Sequence, residues 1–369
     1  MLRAFRLVVL IYCGTALAKE PAQISDSDAK FVGSIGCKSS SCHGGAGEKR
    51  SQYITWSQKD FHTRAYAILL DARSARIGEA VGISQPQSNA RCTVCHSPFQ
   101  SVDPSRLDSG ARPDEGVSCE SCHGAAEPWL RGHTRTDWTY ATRVSAGMHD
   151  LRNLYVRADA CVACHQNIDG DILKAGHPAL VFELDSQSVN EPRHWREDDP
   201  LSGIRAWLAG QAVALRESAW HARTDVNAST DSQQTSLALA WLLAKATATD
   251  PQLPKISEPT SSDLEPLQND ADTLARRAAI WSPTTDSMIS ILQTFAGSDS
   301  EFRSSNQSRE ALFYRGVRLA LGIERLSVAL NLAPKIEKEL NALRTDLQRH
   351  YDFDVAAFAE HLRALRVKL

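Results

Sequence analysis

The sequence lacks the two features that would indicate a membrane-spanning or a nucleic-acid-binding protein. Its 41 basic residues are outnumbered by 44 acidic ones, and a formal net charge of -3 gives no basic excess for binding nucleic acid. Beyond the first residues there is no apolar run of the ~18 residues that a membrane helix needs. The 369 residues, 42% of them hydrophobic, are enough for roughly two domains with a core.

The first residues have the pattern of a secretory signal. Arg3 and Arg6 precede an apolar run over residues 7–17, and Ala16-Leu17-Ala18 supplies small residues for a signal peptidase. We expect residues 1–18 to be a signal peptide that is cleaved after Ala18. The mature protein would then be periplasmic or otherwise exported, without stable membrane insertion. An uncleaved membrane anchor is the alternative.

Cysteine is absent from the chain except at Cys13, in the signal, and in four close pairs. Each pair is followed directly by a histidine. The four motifs are Cys37-x4-Cys42-His43, Cys92-x2-Cys95-His96, Cys119-x2-Cys122-His123 and Cys161-x2-Cys164-His165.

The last three motifs have the Cys-x-x-Cys-His spacing of c-type haem attachment. Two thiols bond to the vinyl groups of the porphyrin, and the adjacent histidine ligates the iron. Disulfides or zinc also use paired cysteines, but neither requires a histidine after every second cysteine. The sequence therefore predicts four haem c groups.

The first motif is widened, with four residues between its cysteines. Its backbone must bulge to keep both sulfurs near the vinyl groups, and Ser39, Ser40 and Ser41 are small enough to allow this. A Cys37–Cys42 disulfide is the alternative for this motif.

Methionine is too scarce to supply the second axial ligands. After the signal only Met148 and Met288 remain, and Met288 lies in a predicted helix of the C-terminal half. The N-terminal half has spare histidines instead, which makes mostly bis-histidine ligation the expectation. The candidates are His62, His133, His149 and His177, with His194 left undecided.

Several segments resemble the tetrahaem cytochrome c-554 family of electron carriers. They are Gly116–Gly124, Trp56–His62 and Ala158–His165, while Ala175–Glu183 with His194-Trp195 resembles a broader group of exported multihaem cytochromes. The resemblance covers about residues 30 to 200.

The resemblance implies that distal ligands cross over between haems. His62 would serve the haem of His123, His133 the haem of His43, and His149 the haem of His165. The family haem that corresponds to His96 lacks a distal protein ligand, and His177 is available here to fill that position.

The chain is predicted to be mainly α. Residues 19–200, rich in Gly, Ser, Cys and His, would form a multihaem cytochrome c domain with little regular structure beyond short helices, one of them at each motif. Apolar residues at helical spacing after Pro200 predict an α-helical bundle over 201–369. The bundle's apolar stripes indicate a core, with a docking role as the alternative.

The sequence favours an electron-transfer protein that meets redox partners, either other cytochromes or a membrane quinol-linked complex. The oligomeric state is left open. The alternative is a multihaem reductase of a small nitrogen or sulfur compound, with an open iron at His96 and with Arg91 or Arg131 attracting an anion. A redox or gas sensor is a third reading, for which the sequence offers no output motif.

Overall fold

The structure, a computed structural model, describes residues 28–197, 199–224, 230–259, 264–304 and 306–369. The predicted signal peptide and its cleavage point lie outside these residues. The described residues form α-helices and short 3-10 helices without a strand, apart from an isolated parallel bridge between Phe31 and Leu107. The predicted mainly α fold is confirmed. None of the described helices is long and apolar enough to cross a membrane.

The helices before residue 200 are short, as predicted. They are α1 (Gln52–Lys59), α2 (Ala65–Ile68), α3 (Ala72–Ala80), α4 (Ala90–His96), α5 (Cys119–His123), α6 (Tyr140–Ser145), α7 (Leu154–His165), α8 (Gly170–Lys174) and α9 (Leu184–Asn190). Local chemistry sets their bounds. For example, Asp71 separates α2 from α3. Its carboxylate accepts the Ser74 amide N–H and so caps the N-terminus of α3.

The helices after residue 200 are longer. They are α10 (Ser202–Thr224), α11 (Thr230–Thr249), α12 (Glu265–Ala278), α13 (Thr285–Ala296), α14 (Asp299–Arg303), α15 (Arg309–Ala329), α16 (Glu337–Asp346) and α17 (Val355–Lys368). Helix α10 is central, because it is buried along most of its length and packs on α7, α9, α11, α12 and α15. Residues 250–259, which follow α11, contain no helix.

One hydrophobic core crosses residue 200. Leu154, Tyr155, Ala158 and Val162 of α7 belong to the same buried cluster as the helices of the C-terminal half. The N-terminal segment has only a small cluster of its own, around Phe31, Phe99, Ala111 and Ala125. Helix α7 therefore joins the fourth motif to the core of the C-terminal helices.

A buried ionic cluster fixes the position of α7. The Arg216 guanidinium of α10 donates to the Tyr155 hydroxyl and to Asp272 Oδ1 of α12, each at 3.0 Å, and also to Asp159 of α7. Its Nε donates to Glu217 at 2.8 Å. Because Arg216 is 8% exposed, these carboxylates compensate a charge that water scarcely reaches.

A second buried ion pair joins α15 to the start of α9. Arg318 donates to Glu183 Oε1 at 3.1 Å, and Gln211 Nε2 of α10 donates to the same oxygen at 2.6 Å. Burial raises the pKa of Glu183 to about 7, although the Arg318 guanidinium opposes the rise.

Candidate haem sites

Three of the four motifs lie on helices, which confirms the predicted short helix for these three but not for the first motif. Cys92–His96 lies on α4, Cys119–His123 forms α5, and Cys161–His165 is the C-terminal end of α7. Asn89 caps α4 by accepting the Arg91 amide N–H at 3.0 Å, and Ser118 forms a capping box with Ser121 at the start of α5. Cysteines three residues apart lie on the same side of a helix, which places two thiols near one porphyrin edge.

The first motif folds as a turn without a helix. The His43 amide N–H donates to the Cys37 carbonyl at 3.1 Å, which closes the widened loop at its ends. The Gly44 N–H donates to Ser39 O at 3.0 Å. A Cβ on Gly44 would lie 1.8 Å from Lys38 O, so only glycine fits this turn. The two additional residues are accommodated while Cys37 and His43 remain joined.

All eight motif cysteines are unbridged. The disulfide alternative for Cys37 and Cys42 therefore has no support in the structure. Each pair instead presents two free thiols beside its histidine.

Each motif histidine faces a second imidazole. The ring centroids are 6.0 Å apart for His43 and His133, 6.0 Å for His62 and His165, 6.4 Å for His96 and His177, and 6.3 Å for His123 and His194. A metal–imidazole bond is about 2.0 Å, and a ring centroid lies about 1.1 Å beyond its nitrogen. Two imidazoles on opposite sides of one metal thus have centroids about 6.2 Å apart.

The lowered pKa of five of these histidines fits a role as ligands. Burial lowers the pKa of His123 to about 4, and its imidazole neighbours act in the same direction. Burial also lowers the pKa of His96, His133, His165 and His194. Neutral imidazole is the form that binds a metal. The spacing, the free thiols and the lowered pKa of these five histidines together fit c-type haem.

Hydrogen bonds at Nδ1 orient several of these rings. His96 donates to Ala65 O at 3.0 Å, His133 to Leu130 O at 2.5 Å and His177 to Pro178 O at 2.9 Å. His43 Nδ1 is 3.0 Å from Gln52 Oε1. A bond at Nδ1 leaves Nε2 available for the metal and fixes the plane of the ring. His62 differs, because its Nδ1 lies 3.1 Å from Asp60 Oδ1 and this contact raises its pKa.

One imidazole pair, His43 with His133, joins residues that the resemblance also joins. His96 faces His177, the histidine that was available for the position that the family leaves open. The other two pairs differ from the resemblance. The backbone of His62 does lie beside the third motif, where His62 O accepts the Val117 N–H at 3.0 Å, but its ring faces His165. His194 takes the position opposite His123.

His149 packs against the third motif. Its Nδ1 donates to Cys122 O and its amide N–H to His123 O, each at 2.9 Å. A Cβ on Gly124 would lie 2.8 Å from its ring, so the ring lies directly over this glycine. Met288 lies on α13 and is buried in the hydrophobic core.

The two arginines considered as anion binders have different surroundings. Arg91 contacts Asp169 at 2.6 Å and Asp171 at 2.5 Å, so two carboxylates offset its charge. These contacts join α4 to the start of α8. Arg131 is exposed.

Comparison with known proteins identifies the segment that contains the first three motifs. Residues 36–124 match the family described as cytochrome c554 and c-prime. This segment is thus similar to a cytochrome c554/c-prime domain. The chain shows no significant match to a curated protein or to a solved structure.

The match of residues 36–124 to this cytochrome family points to c-type haem, export from the cytoplasm and haem-based electron transfer. The match ends at Gly124, so the fourth motif and the histidines at 133, 177 and 194 lie outside the matched cytochrome domain.

Two carboxylates in the matched segment hold parts of the candidate sites in place, and the sequence did not predict either role. Asp60 contacts His62, and Glu120 binds three backbone N–H groups. For Asp60 the sequence offers a signal, because a carboxylate two residues before a candidate ligand can reach its ring. For Glu120 there is none beyond its position inside a motif.

Proposed function

We propose that the chain is a periplasmic electron-transfer protein that holds four c-type haems, each between two histidines. The motif cysteines would form the thioether bonds. The axial pairs would be His43 with His133, His62 with His165, His96 with His177, and His123 with His194. The observation that carries the proposal is that all four pairs have the centroid separation expected across one metal.

Haem supplies a one-electron ferric/ferrous couple, and the protein decides what else can happen at the iron. With an imidazole on each face, no coordination position is left for a substrate. Such haems are low-spin and suited to electron transfer. The hydrogen bonds at Nδ1 hold several of the imidazoles in place, so the ligand geometry should change little on reduction.

The partners would be other redox proteins, either cytochromes or a membrane quinol-linked complex. Such encounters use small, polar and transient interfaces. Electrons would pass between haems within the N-terminal segment, while the helices after residue 200 hold α7, and with it the fourth motif, through their shared core.

The first test is haem content and spin state. We expect a pyridine haemochrome assay and intact mass to give four haems in protein made with a haem-attachment system. The oxidised protein should be wholly low-spin, and carbon monoxide should leave the reduced spectrum unchanged. A high-spin signal or a carbon monoxide adduct in the unaltered protein would favour the reductase alternative at His96.

Two histidine variants give the proposal its sharpest test. His177→Ala removes one member of a pair, so one of the four haems should become high-spin and bind carbon monoxide. His149→Ala is the matched control, because its ring packs on Gly124 and bonds to Cys122 O. A high-spin haem in the His149→Ala protein, with none in the His177→Ala protein, would contradict the assigned pairs.

The ring planes give an independent readout. His43 and His133 are near parallel at 20°, whereas the other three pairs are inclined at 66° to 87°. Parallel axial imidazoles give a rhombic low-spin electron paramagnetic resonance (EPR) signal, and steeply inclined ones give a more anisotropic signal. One rhombic signal with three anisotropic signals would match these planes.

A further inference from the structure

The imidazole of His62 has a charged neighbour. Asp60 Oδ1 lies 3.1 Å from His62 Nδ1, and the same oxygen accepts the His62 amide N–H at 2.9 Å. The Asp60 side chain is 6% exposed, so water screens its charge weakly. Asp60 therefore fixes the backbone and the ring of His62 together.

The other Nδ1 contacts among the described pair-forming histidines use neutral acceptors. These are the carbonyls of Ala65, Leu130 and Pro178 and the side-chain amide of Gln52. A carboxylate acceptor pulls the Nδ1 proton more strongly than a carbonyl does, which makes the imidazole more basic and a stronger donor to a metal.

Glu191 adds to the negative charge around this ring. Ligand atoms of Asp60, His62 and Glu191 all lie within 4.8 Å of one another. Glu191 is half-buried. Negative charge in a weakly screened site stabilises the ferric state relative to the ferrous state, because the oxidised iron carries one more positive charge.

We propose that Asp60 is a positioning residue that lowers the reduction potential of the haem held between His62 and His165. This inference rests on the proposed function, since it takes His62 to be the distal ligand of that haem. The carboxylate acts through the imidazole and the local field. It is not consumed, and the couple that it shifts transfers one electron.

The test is Asp60→Asn, which keeps an acceptor for both N–H groups but removes the charge. Asparagine also caps a helix as well as aspartate does, so the 3-10 turn Phe61–Arg64 should remain. In redox titration of the haem-loaded protein, the reduction potential of one of the four haems should rise by about 59 mV. This corresponds to a change of about tenfold in the equilibrium constant for its reduction. The EPR signal of the same haem should shift.

The matched control is Asp103→Asn. Asp103 is exposed and caps the 3-10 turn Pro104–Arg106 by accepting the Ser105 amide N–H at 2.8 Å, as Asp60 does for its own turn. It should leave all four couples unchanged. Glu191→Gln should raise the same couple as Asp60→Asn.

The outcomes separate this inference from the proposed function. If Asp60→Asn keeps four low-spin haems and no couple moves, Asp60 has only a structural role and the inference is overturned. If the unaltered protein lacks the fourth haem, the proposed function itself fails. A stoichiometric divalent cation in the loaded protein, lost on Asp60→Asn, would also overturn the inference, because His62 would then bind that cation.

Discussion

Glu120 offers a test of how the N-terminal segment is held together. It lies between the two cysteines of the third motif and is 1% exposed. Its Oε1 accepts the amide N–H groups of Val32 at 3.0 Å and Ala126 at 2.7 Å, and its Oε2 accepts that of Gly33 at 2.7 Å. The carboxylate thus ties the third motif to the segment that leads into the first motif.

Glu120→Gln replaces one acceptor oxygen by an NH2 group that faces a backbone N–H. At least one of the three bonds is lost, and two donors then oppose each other. A hydrogen bond to a charged group contributes about 1.5–3 kcal/mol, and an unsatisfied buried donor costs about 1–3 kcal/mol. We expect the free energy of unfolding to fall by about 2–4 kcal/mol. Glu120→Ala should cost at least as much.

The assay is guanidinium chloride unfolding of the haem-loaded protein, followed by far-ultraviolet circular dichroism. Because burial raises the pKa of Glu120, the assay is best run at about pH 8, well above the ordinary pKa of a glutamate. Glu127→Gln is the matched control, since Glu127 Oε2 accepts the Lys30 N–H at 2.9 Å in an exposed position. That change should cost less than about 0.5 kcal/mol. Equal losses in the two variants would refute the argument from burial.

Two further predictions concern the C-terminal half. Arg216→Ala leaves Asp159 and Asp272 without their buried cation. In the same denaturation assay the free energy of unfolding should fall by about 3–5 kcal/mol. A loss below about 1 kcal/mol would contradict this. Because the pKa of Glu183 is raised from 4.5 to about 7 in the folded protein, its contribution to the free energy of unfolding is greatest below pH 4.5. This contribution is lost as the pH rises towards about 7. Stability should therefore fall over that range by on the order of 3 kcal/mol, and Glu183→Gln should flatten the profile; an unchanged slope would show that Arg318 keeps Glu183 ionised throughout.

The class of the protein and its helices could be predicted from the sequence because their signals are local. The cysteine spacing at Cys92, Cys119 and Cys161 predicts haem attachment, and the family match covers the first two of these motifs. Apolar residues at helical spacing predicted the long helices after residue 200, which the structure contains.

The pairing of histidines could not be predicted in full, because it depends on contacts between distant segments. His194 and His123 are 71 positions apart, and nothing near His194 in the sequence indicates which ring it faces. For His62 the neighbouring backbone was anticipated and the direction of the ring was not. The Asp60 contact, which depends on the conformation of one turn, helps to set that direction.

The shared core around α7 has a consequence for assembly. Val162 is buried beneath the C-terminal helices, while Cys161 and Cys164 of the same turn would have to reach a porphyrin in the proposed fourth haem site. An enzyme that joins haem to these thiols needs the turn accessible, and the packed helices would restrict that access. Haem addition at the fourth motif should therefore come before the C-terminal helices close over α7. If these helices fold first, the fourth motif would remain without haem.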